Sequence, residues 1–156
     1  MPTHHLLIVY HSQSGTTEAM AQAVIRGASD PAVEGIEVRV RAALDAGPDD
    51  LLWAHAVILG TPENFGYMSG GLKTFLDRSY HACLAHTQGL PWALFVRAGN
   101  DGSGAVGSVE RIVAGLRWRA IREPLVVAGP ADEATVLPAC EELGLTMAAG
   151  LEAGVF

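Results

Sequence analysis

Leu6-Leu7-Ile8-Val9-Tyr10-His11-Ser12-Gln13-Ser14-Gly15-Thr16-Thr17 is the stretch on which the fold turns. Leu6 to Tyr10 is a near-continuous apolar run, the habit of a strand covered on both faces in a parallel sheet. Ser12, Ser14, Thr16 and Thr17 then crowd hydroxyls around Gly15, and Met20, Val24, Ile25 and Ala28 follow at helical spacing. A strand, a hydroxyl-rich turn and a helix N-terminus in direct succession gather free backbone N–H groups and the positive end of a helix dipole. That makes an anion site of phosphate size. Without a lysine it is no triphosphate-binding loop of the GK[ST] type, and it suits a single phosphomonoester held by neutral donors. The plainer alternative is that Ser14 or Thr16 only caps the helix.

The same alternation continues outward. Ile36 to Val40, His55 to Leu59, Trp92 to Val96 and Ile121 to Val127 read as further strands. Between them Leu72, Phe75, Leu76 and Ser79, and later Val109, Ile112, Val113 and Leu116, mark helical faces. Asp49 to Ala54 reads as a short helix, and Cys140, Leu143, Met147, Ala148 and Leu151 define a last one expected to open near Pro138. Alternating strands and helices imply an α/β three-layer sandwich around a parallel sheet, because right-handed crossovers place helices on both faces. Its ligand crevice is expected at the carboxyl ends of the strands, where the strand order reverses.

With 156 residues, 49% hydrophobic and 17% charged, the expectation is a single domain over 1–156. The net charge of −7 disfavours nucleic acid as a partner. Cys83 and Cys140 are too few for a disulfide framework, the histidines show no metal-ligand spacing, and no apolar run reaches the ~20 residues of a membrane span. A soluble cytoplasmic protein with no metal is expected.

Two more loops would complete the crevice. Gly60-Thr61-Pro62-Glu63-Asn64-Phe65-Gly66-Tyr67-Met68-Ser69-Gly70-Gly71 offers glycines for close approach, with Phe65, Tyr67 and Met68 as surface for a planar ring. The alternative is an ordinary loop with its aromatics tucked into the core. Gly99-Asn100-Asp101 opens the third loop, which has no aromatic. Gly102-Ser103-Gly104-Ala105-Val106-Gly107 matches GxGxxG formally, but it starts too far beyond its strand for a dinucleotide fingerprint.

Ser12 to Thr17 resembles the flavodoxin phosphate loop [ST]-x-[ST]-G-x-T. Gly60-Thr61-Pro62 through Gly70, followed by Leu72-Lys73-Thr74-Phe75-Leu76-Asp77, is similar to NAD(P)H-dependent flavin and quinone reductases of the tryptophan-repressor-binding-protein type. The resemblance implies a flavodoxin-like fold with a five-stranded parallel sheet in the order 2-1-3-4-5, and FMN as cofactor. Ser12, Gln13, Ser14, Gly15, Thr16 and Thr17 would hold the phosphate. Thr61, Pro62, Glu63, Asn64, Phe65, Gly66 and Tyr67 would line the isoalloxazine, and Gly99, Asn100 and Asp101 its pyrimidine edge. The implied activity is hydride transfer from NADH or NADPH through the flavin to quinones or similar small acceptors. A flavodoxin-type carrier or regulatory module passing single electrons to a protein is the alternative. The resemblance also implies a homodimer or homotetramer, although Gly99 to Gly107 is shorter than the corresponding segment of those reductases. An open third loop leaves one flavin face exposed, which favours hydride exchange.

Tyr67 and Arg97 are the candidates for a direct part in the chemistry. Tyr67 or water would deliver protons. Arg97 ends the fourth strand, where a cation ~6 Å from reduced flavin would contribute about 2.8 kcal/mol at an effective dielectric of ~20. Its alternative is an ordinary surface ion pair with Asp101 or a helix carboxylate. Arg111, Arg117, Arg119 and Arg122 either meet the extra phosphate of NADPH or solvate a helix and its exit.

Overall fold

The structure is a computed structural model and describes residues 3–13, 15–130 and 132–156. In chain order the elements are β1 (His4–Tyr10), α1 (Gly15–Ala28), β2 (Ile36–Ala42), α2 (Pro48–Trp53), β3 (Ala56–Asn64), β4 (Tyr67–Met68), α3 (Gly70–Cys83), β5 (Pro91–Ala98), α4 (Ser103–Leu116), β6 (Arg119–Ala120), β7 (Leu125–Ala128) and α5 (Glu133–Ala153). The sheet runs β2-β1-β3-β5, with β6 and β7 both on the outer side of β5, and β4 folded back on β3. Every pairing but β3–β4 is parallel. Taking β6 and β7 as two pieces of one strand gives the expected 2-1-3-4-5 order, with the reversal between β1 and β3.

Side chains alternate across this sheet and build two apolar layers. Leu6 and Ile8 of β1, Ala56 and Ile58 of β3, and Ala93 and Phe95 of β5 face α1 and α5. Leu7 and Val9, Val57 and Leu59, and Trp92, Leu94 and Val96 face α3 and α4. Both sides are buried, which is why these strands read as continuous apolar runs. Gly60 sits under the Phe95 ring, whose atoms lie 2.0 Å from where a Cβ would be.

Three boundaries differ from the sequence expectation, each for a local reason. The fifth strand is broken: Arg119–Ala120 pairs with Pro91–Trp92, Ile121 gives its N–H to the Trp92 carbonyl, residues 122–124 leave the ladder, and Leu125–Ala128 pairs with Phe95–Ala98. Pro124 has no N–H to give, which an edge strand tolerates. α5 opens at Glu133 and not near Pro138, because Asp132 accepts the Ala134 N–H and so caps the helix, leaving Pro138 inside it. β3 starts at Ala56 and runs on through Thr61-Pro62-Glu63-Asn64, so much of the expected second loop is a strand and a hairpin.

Candidate functional site

The carboxyl ends of β1, β3 and β5 converge at the switch point. His11 extends the β1–β3 ladder, its N–H donating to the Gly60 carbonyl at 3.1 Å. Its ring lies against the start of α3, where a Cβ on Gly71 would sit 2.1 Å from His11 Nδ1. Glycine at 71 therefore lets the first two loops approach. Beyond His11, Ser12 Oγ donates to Glu18 Oε2 at 3.2 Å, while Tyr10 Oη and Gln22 Nε2 both reach Glu18 Oε1 at 3.0 Å. Burial, then the bond and charge of Glu18, push the Tyr10 phenol above its usual range. Ser14 lies outside the described residues. Thr17 is wholly buried in the first turn of α1, and its hydroxyl has no hydrogen-bond partner among the described residues. A Cβ on Gly15 would meet nothing within 4 Å. Among the described residues the first turn of α1 thus presents open space at Gly15 and an orphaned hydroxyl at Thr17.

The second loop is a tight hairpin. Phe65 and Gly66 occupy its turn with φ of 53° and 69°, both in the left-handed region that a two-residue hairpin of the primed type requires. Thr61 is buried, and its hydroxyl accepts the Ser69 N–H at 2.9 Å and donates to the Pro62 carbonyl at 2.8 Å, so it closes the hairpin. Glu63 accepts the Ala105 N–H at 3.0 Å, placing a carboxylate at the N-terminus of α4. Asn64 Nδ2 donates to Gln13 Oε1 at 2.8 Å and clasps the first two loops together. Met68 donates its N–H to Ser108 Oγ at 3.0 Å. Phe65 is fully exposed at 107% and Tyr67 is 43% exposed, so these aromatics stand out from the core. Met68 does not join them; at 2% exposure it packs inward and cannot supply a ring surface.

In the third loop Gly99 and Asn100 are exposed, and a Cβ on Gly99 would meet nothing within 4 Å. Asp101 Oδ1 accepts both the N–H and the hydroxyl of Ser103 at 2.9 Å, holding its carboxyl below the usual carboxylate range. Gly102, at φ 75°, turns the chain into α4, so the formal GxGxxG spans a helix cap and the helix behind it. Among the described residues Arg97 pairs with neither Asp101 nor a helix carboxylate. Its guanidinium donates to the carbonyls of Ala98, Val127 (3.0 Å) and Gly129, clamping the ends of β5 and β7.

A family model described as NADPH-dependent FMN reductase matches residues 40–133, more than half of the chain. The chain belongs to that family. This NADPH-dependent FMN reductase family member is 38% identical over 72 residues to a flavodoxin of Aquifex aeolicus, a match covering 46% of the chain and 38% of the relative. It is 38% identical to an NAD(P)H dehydrogenase (quinone) of Acidithiobacillus ferrooxidans, over 47% of the chain and 46% of that protein. The match thus spans less than half the length of either relative. Among solved structures, a flavodoxin from the domain Archaea superposes with a TM-score of 0.78 at 25% identity, covering 95% of this chain and 99% of that one.

FMN is the group this family implies, and the residues fit it. The orphaned Thr17 hydroxyl and the open space at Gly15 suit a phosphate on the α1 turn, and Phe65 and Tyr67 suit a flat ring. The residues that sequence reasoning missed are those tying the loops together: Glu18, Ser69, Gly71 and Ser108. Glu18 in a first helical turn and Ser69 before Gly70-Gly71 are visible end-of-helix signals, whereas Ser108 acts only through the tertiary approach of α4.

Proposed function

We propose that this chain is one flavodoxin-like domain that binds FMN and works as an NAD(P)H-dependent oxidoreductase, reducing quinones or similar small acceptors. The observation that carries the reading is the pairing of a lysine-free cradle on the first turn of α1 with an exposed aromatic hairpin, Phe65 and Tyr67, and an exposed third loop, Gly99 to Asp101, that has no aromatic. FMN, when bound, supplies the acceptance of hydride from nicotinamide and its passage onward. Ser12, Gly15, Thr16 and Thr17, with Ser14 between them, orient the phosphate through neutral donors. The hairpin Thr61 to Tyr67 holds one side of the ring, and backbone groups of Gly99 to Asp101 border its polar edge. With no aromatic on that third loop, a nicotinamide or quinone has room to stack. Arg97, fixed by carbonyls and lacking a carboxylate partner among the described residues, favours negative charge near that edge. A homodimer or homotetramer belongs to the same proposal and is read directly by analytical ultracentrifugation.

The deciding experiment is stopped-flow mixing of the flavin-loaded protein with NADH or NADPH. Rapid bleaching of the visible flavin band, restored by a quinone, is the expected result. No bleaching within minutes sinks the oxidoreductase reading. In that case the net charge of −7 supports the second reading, an electron carrier docking on a basic protein partner.

A further inference from the structure

Behind the hairpin lies a groove of about 410 Å³ between the start of α3 and the outer face of α4, lined by Tyr67, Lys73, Ser103, Ser108, Arg111 and Ile112 among others. It begins where α4 touches the hairpin tip: a Cβ on Gly104 would lie 2.0 Å from the Gly66 carbonyl oxygen. Seven residues of helix separate Gly104 from Arg111, about 10 Å at 1.5 Å per residue. The groove therefore reaches from the edge of the flavin crevice to a cationic far end, and Tyr67 belongs to both.

Its charge stands against the rest of the molecule. The chain carries −7 overall and has one lysine, and that lysine lines this groove. Lys73 pairs with Asp77 at 2.7 Å, leaving two ammonium donors. Arg111 is exposed and has no ion pair or side-chain hydrogen bond among the described residues. Arg122, by contrast, is paired with Glu142 at 3.2 Å. Ser108 accepts the Met68 N–H and donates to the Ala105 carbonyl, so it shapes the wall and has no proton left to offer a phosphate. A half-exposed tyrosine ring, an unpaired guanidinium fork and an apolar floor at Ile112 together suit a base bearing a phosphate.

We propose that this groove holds the 2′-phosphoadenosine end of NADPH, with Tyr67 against the base and Arg111, assisted by Lys73, on the 2′-phosphate, and that it sets a preference for NADPH over NADH. Naming the dinucleotide rests on the donor reading above; the fragment can be tested without it. Calorimetric titration of the flavin-loaded protein with adenosine 2′,5′-bisphosphate and with AMP should show the bisphosphate binding at least tenfold tighter. Arg111→Ser should abolish that difference, Lys73→Gln should reduce it a few-fold, and Arg122→Ser should keep it. The ratio of kcat/KM for NADPH to that for NADH should fall about tenfold in Arg111→Ser. Equal binding of the two nucleotides, or an unchanged preference in Arg111→Ser, overturns the assignment. So does sedimentation showing that Arg111→Ser splits a dimer while the nucleotide preference persists, which would make the groove a subunit contact. If neither dinucleotide bleaches the flavin, the donor reading fails, while the fragment titration still decides the groove.

Discussion

Thr17 and Phe65 each carry a local cost within the fold, and that makes both informative. A buried hydroxyl without a partner costs about 1–3 kcal/mol of desolvation. Thr17→Val should therefore leave apoprotein stability equal or slightly higher, while FMN affinity falls roughly tenfold or more through loss of a charge-assisted bond. Fluorescence titration and thermal melts on one preparation read both. Phe65 holds φ 53° in a turn that favours glycine or asparagine, at a cost on the order of 1 kcal/mol. Phe65→Gly should raise the apoprotein melting temperature by about 2–4 °C and weaken flavin binding, because the exposed ring is lost. A melting temperature that falls would show that the ring packs against something in the apoprotein. Cys140, whose thiol burial pushes up to about 11, and Cys83, raised for the same reason, should stay unlabelled by a thiol reagent until the chain unfolds.

Among the elements, α1 and α5 are joined where no side chain fits. A Cβ on Gly27 would lie 1.9 Å from the Glu141 carbonyl oxygen, and one on Gly144 2.0 Å from that of Val24. Backbone on both sides leaves no flexible atom to yield, so Gly27→Ala or Gly144→Ala should cost about 2 kcal/mol or more and lower the urea midpoint by roughly 1 M. At the amino ends of β1 and β3, His5 stacks on Trp53 at 4.2 Å and on His55 at 4.8 Å, and His55 Nδ1 accepts the His5 N–H at 2.9 Å. Burial, then the charges of His5 and His4, hold the His55 imidazole below the ordinary histidine range. The folded state thus binds that proton less readily than the unfolded chain, so stability is present above pH ~6.5 and is lost as the pH falls below it. His55→Asn, which keeps an acceptor, should flatten the dependence of the urea midpoint on pH between about 7.5 and about 5.5. The strands and helices were legible because apolar runs buried on both faces have few other readings. The hairpin was not, because Phe-Gly replaces the usual Asn-Gly signature, and Pro138 misled because the helix is capped earlier, at Asp132, and runs through the proline into the segment packed tightly on α1. Of the candidate crevice, the strand-turn-helix junction that opens it was readable from local chemistry; the clasp from Asn64 to Gln13 joins residues far apart in the chain and leaves no local mark.

At the scale of the whole molecule the acidic body and its cofactor site are in tension. FMN arrives as an anion at a surface of net charge −7, and the cradle has no lysine to draw it in. Added salt should therefore speed flavin association by a few-fold between about 20 and about 200 mM, the reverse of the usual behaviour of a cation-lined phosphate site. An unchanged or falling rate would mean that a local positive field, such as that of Arg97, governs the approach. Once FMN has reached the surface, the hairpin governs its capture. Asn64 is fastened to Gln13, Glu63 to the first turn of α4 and Met68 to Ser108, so the proposed ring wall is held by bonds within the chain itself. Capture through a wall so held needs no ordering step of its own: the observed rate should climb in proportion to FMN concentration without a plateau.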